Sequence, residues 1–289
     1  MKVSVALQVY IPKIVKQCNI RHGDIYVIEV VQEEVGGLGS RYLDEGIKDS
    51  IDYAILGEPT SNKINIRQKG RVELKITFEG KSVHASRPWL SLNPLYRMGR
   101  FISILENLEE NVTVAMEDEA KSTVAPTVCV AIPNVSNVTP GECSLVLDWR
   151  NTSGESEAQV LEKIRNLLSK NDQVEIQICK LKTYTGLNLD MKRVKTPFSI
   201  DRTHPFAQAT AEAVISTLGR EVEFSGWTGA TDGGYFMEAG IPIVGFGPGE
   251  SEYEHSARER ISLQKVKEAM ECYPAIVANI GKLEKKDNR

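Results

Sequence analysis

The sequence has few of the features that mark common catalytic and structural frameworks. It has no C-x-x-C pair, and its five cysteines are scattered, which argues against a disulfide framework or a sulfur-bound zinc. It also has no G-x-x-x-x-G-K-[ST] loop and no G-x-S-x-G element, which disfavours a phosphate-binding module and a serine hydrolase. Only four histidines are present, so any histidine-dependent chemistry has to use His22, His84, His204 or His255.

Two classes of partner are disfavoured by what the charge and hydropathy patterns lack. The 35 basic and 39 acidic residues are interspersed and give a net charge of -4, without the basic stripe that a nucleic acid requires. No apolar run approaches the length that spans a bilayer, and the first residues lack the pattern of a secretory signal. We therefore expect no nucleic-acid partner, no membrane partner and a cytoplasmic location.

Continuous apolar runs indicate the fold class of most of the chain. With 289 residues and 41% hydrophobic residues, the chain can build one large domain or two ordinary ones. Residues 25–31, 53–56 and 241–246 are apolar without alternation, which is typical of strands buried on both faces. These runs predict an α/β domain with a mostly parallel sheet flanked by helices.

Residues 66–183 have a different pattern, which predicts an inserted domain. The predicted elements are a strand at 72–78, a helix at 94–108, strands at 123–132 and 143–149, a helix at 155–168 and a strand at 173–181. This order is typical of a small two-layer α+β sandwich. Its uncovered sheet edge favours a dimer through this segment. The α/β domain then comprises residues 1–65 and 184–289.

Polar residues follow each of the three apolar runs. Glu33 and Glu34 follow the first run, Glu58 the second and His255 the third. Ligands bind at the carboxyl ends of strands in open α/β sheets, and carboxylates with imidazole are typical ligands of catalytic zinc, cobalt or manganese. Each residue taken singly is equally typical of a solvated loop. Their shared position at one end of the predicted sheet favours a metal site.

Five segments together resemble a known family. In order and spacing they resemble the dizinc aminoacylases and metallopeptidases of the acetylornithine deacetylase, succinyl-diaminopimelate desuccinylase and glutamate carboxypeptidase type. The segments are VIEVVQEEVGGLGS, YAILGEPTS, QKGRVELKITFEGKSVHASRP, NVTPGECSLVLDWRNTSGES and GWTGATDGGYFMEAGIPIVGFGPGESEYEHS. The resemblance covers almost the whole chain. It implies a zinc-peptidase-like catalytic domain with an inserted lid and dimerisation domain, which hydrolyses the amide of an N-acyl amino acid or related small peptide-like substrate.

The resemblance also implies roles for residues of the predicted catalytic domain. Glu33 corresponds to the general base of the family. Glu34 and His255 correspond to ligands of one metal, and Glu58 to a ligand of the other. Thr231 corresponds to a substrate-side loop residue, with a helix-capping turn as its alternative role.

The lid carries three further candidates. His84 corresponds to a histidine that reaches the partner's site in the homodimer and stabilises the oxyanion, and Asn137 to a second donor to the same carbonyl. Arg150 is a candidate to bind a substrate carboxylate, although a strand arginine is more often solvated or ion-paired. A surface histidine on an edge strand is the alternative for His84. The remaining two histidines are expected to be structural.

The chain departs from the family pattern at its beginning. The family has two more ligands, a histidine in H-x-D and a bridging aspartate before a Met-Lys pair, and the spacing to Glu33 matches Met1 and Lys2 to that pair. We therefore expect at most one zinc in this chain, where the family holds two. Three explanations of the two missing ligands remain open. They are a wrong start codon or truncation, a separate chain that supplies the first portion, and a homologue that has lost catalysis. The last would be a dimeric, inactive protein. Glu250 is a smaller departure, an acid expected near the metals.

Overall fold

The computed structural model describes residues 1–43, 45–113 and 121–283. In this part of the chain the α-helices are α1 (Lys2–Gln17), α2 (Leu38–Arg41), α3 (Glu45–Asp49), α4 (Pro94–Thr113), α5 (Glu157–Leu167), α6 (Pro205–Leu218), α7 (Gly233–Glu238) and α8 (Leu263–Ile280). The strands are β1 (Ala54–Leu56), β2 (Ile64–Gln68), β3 (Arg71–Glu79), β4 (Val83–His84), β5 (Thr123–Ile132), β6 (Val138–Thr139), β7 (Glu142–Arg150), β8 (Asp172–Ile176), β9 (Ile178–Lys182), β10 (Asn188–Lys192), β11 (Val194–Lys195), β12 (Phe198–Ser199), β13 (Phe224–Trp227) and β14 (Ile243–Gly245). None of the helices described is both long and apolar enough to cross a membrane.

The chain divides into two compact units. The first comprises Met1–Gln68, Phe198–Trp227 and Thr231–Arg289, and the second comprises Lys69–Pro197 with Thr228–Ala230. The second unit extends beyond the predicted boundary at residue 183, because β11 pairs with the start of β3. The roles of the two units as catalytic and lid domains stay predictions.

The first unit confirms the α/β class. Its sheet has the order β1, β14, β2, β12, and β13 also pairs with β2. The β1/β14 and β13/β2 pairs are parallel, whereas β14 and β12 run antiparallel to β2. Helices α1, α6 and α8 contribute to the core, which buries large side chains such as Val15, Ile64, Phe206, Phe246 and Tyr273.

Residues 25–31 do not form the predicted strand. The segment has no strand assignment, and Tyr26, Val27 and Val31 are 50%, 39% and 57% exposed. A strand needs a neighbour whose backbone accepts and donates its hydrogen bonds. Among the described residues no strand pairs with this segment. The apolar pattern alone was therefore insufficient to make it a strand.

Helix ends in the first unit are set by local chemistry. At the start of α6 the Nδ1 of His204 accepts a hydrogen bond from Phe206 N at 3.2 Å, and Pro205 occupies the first turn. Gly219 ends the helix with a φ of 65°. His204 therefore has the structural role that the sequence predicted.

The second unit contains the predicted two-layer sandwich. Its antiparallel sheet has the order β11, β3, β7, β5, and β8 also pairs with β3. Buried and partly exposed residues alternate along β7, so one face packs against α4 and α5. Helix α5 begins with a capping box between Ser156 and Gln159.

The last predicted strand, residues 173–181, is divided in two. Strand β8 pairs with Leu74–Phe78 of β3, and β11 occupies the same edge of β3 at Val72 and Arg71. Gln177 N donates to Glu73 O at 2.8 Å, after which the chain leaves the sheet. Because that edge of β3 is already occupied, β9 pairs with β10 in a separate hairpin.

Replacing Leu147 by Ala tests the core of the second unit. Leu147 is fully buried between the sheet and the helices. The substitution should lower the free energy of unfolding by about 2–5 kcal/mol, because it removes buried methyl groups and leaves a cavity. Urea unfolding measures the change. Leu187→Ala, at an exposed position near the tip of the β9–β10 hairpin, is the control and should change it by less than about 0.5 kcal/mol.

Candidate functional site

The loops that follow β1 and β14 are joined by hydrogen bonds. The two strands are parallel and place Leu56 beside Gly245, so both chains leave the sheet at the same edge. Phe246 N donates to Leu56 O at 2.9 Å, and Thr60 N donates to Gly247 O at 3.2 Å. Gly247 N in turn donates to the Thr60 hydroxyl at 3.1 Å. These contacts fix the loop containing Glu58 beside the loop that leads to His255.

Glu33 and Glu34 lie in a tight turn. They begin the 3₁₀ turn Glu33–Val35, which follows Gln32 in the left-handed conformation with a φ of 61°. Gly37 N donates back to Gln32 O at 2.9 Å and closes the turn. Glu33 is half-buried and Glu34 is exposed. The two adjacent carboxylates therefore occupy different environments.

The structure brings together the two residues predicted to share a metal. His255 Nε2 lies 3.8 Å from Glu34 Oε1. The two side chains are 73% and 72% exposed, so a direct ion pair between them contributes little to stability. His255 adopts a φ of 52°, which is uncommon for a residue with a side chain. Unusual backbone conformations of this kind concentrate at functional sites.

Glu58 lies in a cluster of carboxylates. Burial, and after it the negative charges of Glu33, Glu254 and Glu34, together raise the pKa of Glu58 to about 7. Burial also raises the pKa of Glu254, despite the opposing effect of His255. Glu254 was not predicted from the sequence, although its position directly before the candidate ligand His255 was an available signal. Four carboxylates and one imidazole thus converge on the loops after β1 and β14 and on the Glu33–Val35 turn.

Carboxylate and imidazole donors suit a hard or borderline dication. The negative charge of the cluster would also favour binding of such a cation. The described residues nevertheless contain no group of three or more His, Cys, Asp or Glu side chains placed to hold a metal ion. Catalytic zinc sites use three protein ligands. Glu34 and His255 therefore fit part of a metal site, and a third donor is not in place among the described residues.

Glu250 does not add a free negative charge to the cluster. Its Oε1 lies 2.7 Å from Nζ of Lys265 on α8, and both side chains are largely buried. The ion pair also ties the loop before His255 to α8. The expected effect of Glu250 as an extra acid near the metals therefore has no support from its position.

Thr231 is buried and hydrogen-bonded within the fold. Its hydroxyl donates to Gln68 Oε1 and accepts from Gly233 N at 3.1 Å, while Gln68 Nε2 donates to Thr231 O at 3.0 Å. These bonds anchor the start of α7, as the helix-capping alternative predicts. The proposed contact of Thr231 with substrate stays a prediction.

In the second unit the structure places His84 on β4 and Asn137 directly before the neighbouring strand β6. His84 is opposite Val138, and Ala85 N donates to Asn137 O at 2.8 Å. Both candidate side chains are exposed. The Nδ1 of His84 accepts from Ser86 N at 3.2 Å, which leaves Nε2 to carry the proton in the neutral ring. The outward nitrogen of His84 is therefore a hydrogen-bond donor.

Arg150 is paired with an acid of its own strand. Its Nε and Nη2 donate to the two carboxylate oxygens of Asp148, at 2.6 and 3.2 Å. Arg71 Nε also donates to Asp148, at 2.8 Å. This arrangement favours the ion-paired alternative, because a substrate carboxylate would have to compete with Asp148.

A mixed α/β unit and a second α+β unit together give the chain a zinc-peptidase-like fold. Comparison with known families identifies the group. Residues 1–279 match the model of Peptidase family M20/M25/M40, and the chain belongs to that family.

Curated relatives and solved structures resemble the chain over most of its length. The uncharacterized protein YgeY of Escherichia coli K12 is 26% identical over 263 residues, which cover 88% of this chain and 64% of the relative. Acetylornithine deacetylase of Myxococcus xanthus is 29% identical over 248 residues, which cover 83% and 60%. The chain therefore spans less than two thirds of the length of these relatives. A tripeptidase of Staphylococcus aureus has a TM-score of 0.77 at 18% identity, with 98% of this chain and 71% of that chain covered, and shows the fold alone.

The pKa of Glu58 predicts how stability depends on pH. Its folded pKa of about 7 exceeds the ordinary 4.5, so the folded state binds the proton more tightly than the unfolded state. With metal removed by a chelator, the free energy of unfolding should therefore fall as pH rises from about 4.5 to about 7. Glu58→Gln should flatten that fall, as measured by urea unfolding across this range. Glu212→Gln, on the exposed face of α6, should preserve it. An unchanged pH profile in Glu58→Gln would contradict the assignment.

Proposed function

We propose that the protein functions in metal-dependent hydrolysis of the amide bond of an N-acyl amino acid or a related small peptide-like substrate. The observation that supports this proposal best is the convergence of Glu33, Glu34, Glu58 and His255 on one edge of the first unit. The matched relatives include proteins named acetylornithine deacetylase and succinyl-diaminopimelate desuccinylase. Both names describe removal of an acyl group from an amino acid. A cytoplasmic location is part of the proposal.

The metal would be zinc, with cobalt or manganese as alternatives. Glu34 and His255 would hold it, and Glu58 would contribute to a second position. Such an ion lowers the pKa of a bound water and polarises the scissile carbonyl. Within residues 1–43, 45–113 and 121–283 the donors support at most one weakly held ion, because Glu34 and His255 lie together without a third donor and a catalytic zinc requires three.

Glu33 is proposed as the proton carrier. Its carboxylate is half-buried and close enough to Glu58 to raise the pKa of that residue. In amide hydrolysis a positioned carboxylate accepts a proton from the attacking water and delivers it to the leaving amine. Glu34, which is exposed and near His255, is the better placed of the two glutamates to bind metal.

Two residues of the second unit are proposed to stabilise the oxyanion. His84 lies on β4, Asn137 directly precedes the adjoining strand β6, and both side chains are exposed. Hydrogen-bond donors of this kind suit the negative charge that develops on a tetrahedral carbonyl oxygen. Which copy of the chain they serve depends on the dimer proposed below.

An inactive, dimeric homologue is the second candidate. The observation that favours it is the lack, among the described residues, of a ready group of three or more metal donors. A protein of this kind would retain the fold and one weak metal position without turnover. Zinc binding and release of amine from N-acetyl amino acids distinguish the two functions.

Zinc binding by the polypeptide of residues 1–289 tests the roles of the paired glutamates. At most one zinc should bind, and dialysis should remove it. Glu34→Gln should weaken zinc affinity by about tenfold or more, because it removes a ligand, whereas Glu33→Gln should leave affinity unchanged. Titration calorimetry and elemental analysis measure both. Two tightly held ions would contradict the stoichiometry, and an equal loss of affinity in Glu33→Gln would reverse the two roles.

A homodimer through the second unit is also proposed. Strand β5 lies at the edge of its sheet, and Val128, Val130 and Ile132 on it are 50%, 44% and 54% exposed. An exposed edge strand with an apolar face offers unpaired backbone groups to a second strand. Pairing of β5 with β5 of a second copy would continue the antiparallel sheet and cover these side chains.

Charge introduced on β5 tests this interface. The wild-type chain should be a dimer by size exclusion with light scattering. The double variant Val128→Lys and Val130→Lys should shift it to monomer, because like charges would meet at the proposed edge. Leu187→Lys, at a similarly exposed apolar position on the β9–β10 hairpin, is the control and should remain dimeric. A monomeric wild type, or a dimer unaffected by the lysines on β5, would refute the proposed interface.

A further inference from the structure

Asp232 is a buried carboxylate that the proposed mechanism does not use. It lies directly before α7 and is 2% exposed. The hydroxyl of Ser40, on α2, donates to its Oδ2 at 2.7 Å. Burying a carboxylate is costly unless it is hydrogen-bonded, so this contact constrains the position of α2 relative to α7.

The backbone of Gly36 and Gly37, directly before α2, also packs against α7. Gly37 has a φ of +69°, and a Cβ there would overlap Asp232 Oδ1 and lie 2.6 Å from Cε2 of Tyr235. The hydroxyl of Tyr235 donates to Gly36 O at 3.2 Å. The backbone at Gly36 and Gly37 therefore contacts α7 closely, and a side chain at Gly37 would separate the two.

These contacts adjoin the candidate catalytic turn. Gly36 follows Glu33–Val35 directly, and Gly37 N closes that turn by its bond to Gln32 O. Ser40 lies in the helix that leaves the turn. The position of the turn is thus determined by contacts with α7 as well as by its own hydrogen bonds.

We propose that Asp232 is a positioning residue for Glu33 and Glu34. It holds Ser40 and the Gly36–Gly37 backbone against α7 and thereby fixes the direction in which the two glutamates leave the turn. The consequence for chemistry rests on the proposed function, whereas the positioning itself does not. Asp232 touches neither substrate nor metal in this role.

Amide hydrogen exchange measures the positioning directly. The amides of Gly37 and Gly39 donate to Gln32 O and Val31 O and report on closure of the turn. Asp232→Ala should accelerate their exchange by about tenfold or more, because a buried hydrogen bond at the anchor is lost. Amides in α8 should be unchanged. Asp232→Asn keeps an acceptor for Ser40 and should restore most of the protection, which a general loss of packing would not do.

The matched control is Asp201→Ala. Asp201 lies in the same unit and accepts from Thr203 N and from the Thr203 hydroxyl, both at 2.7 Å. Its loss should accelerate exchange near Thr203 and leave the turn unchanged. If Asp232→Ala does not fold, Ser40→Ala and Gly37→Ala disturb the same contacts from the opposite side and should accelerate the same amides.

Wild-type exchange rates at Gly37 and Gly39 in Asp232→Ala would overturn the proposal. Equal acceleration in the turn and in α8, without recovery in Asp232→Asn, would do the same. Zinc affinity provides a separate measurement, and Asp232→Ala should weaken it about threefold or more through displacement of Glu34. Failure of the wild-type chain to bind zinc would count against the proposed function alone, since the exchange experiment needs neither metal nor turnover.

Discussion

The candidate site depends on the parallel pairing of β1 with β14. That pairing brings the loops bearing Glu58 and His255 to one edge, although the two residues are far apart in sequence. The close approach requires glycine at residue 245, since a Cβ there would lie 2.6 Å from Cζ2 of Trp227. Trp227 in turn donates from Nε1 to Pro59 O at 2.9 Å. Trp227 therefore packs against the end of β14 and hydrogen-bonds the loop that follows β1. The relative positions of the two site loops depend on this arrangement.

The distribution of charge separates the site from the rest of the chain. Asp148 is paired with Arg150, and Glu250 with Lys265, so these acids are compensated by side chains of the protein. Glu58 differs from these paired acids, because burial and neighbouring carboxylates raise its pKa to about 7. Concentrated negative charge costs stability in the folded protein and is retained where a cation or a proton is to be bound. The electrostatics of the cluster therefore favour a binding role over a structural one.

Secondary-structure elements that depend on a local sequence pattern were predicted correctly. The prediction was wrong where contacts between distant residues determine whether an element forms. Strand β5 has the bounds that the apolar pattern predicted, and the alternation in β7 was visible in the sequence. Residues 25–31 have an equally apolar pattern but form no strand, because a strand also requires a hydrogen-bonding neighbour. At the site, the shared edge of the loops bearing Glu58 and His255 follows from where β1 and β14 end, whereas Glu33 and Glu34 were placed there from a strand at 25–31 that does not form. The anchoring of Ser40 by Asp232 joins residues far apart in the chain and leaves no local pattern.

The adjacent glutamates show how one short segment gives two identical side chains different surroundings. Two identical side chains in sequence become different when the backbone turns between them, and the 3₁₀ turn leaves Glu33 half-buried and Glu34 exposed beside His255. A proton carrier has to lie within hydrogen-bond reach of the reacting groups, whereas a metal ligand has to remain accessible and charged. The proposed division of roles therefore rests on the geometry of the turn. Because that turn packs against α7, residues outside the proposed site constrain the surroundings of both glutamates.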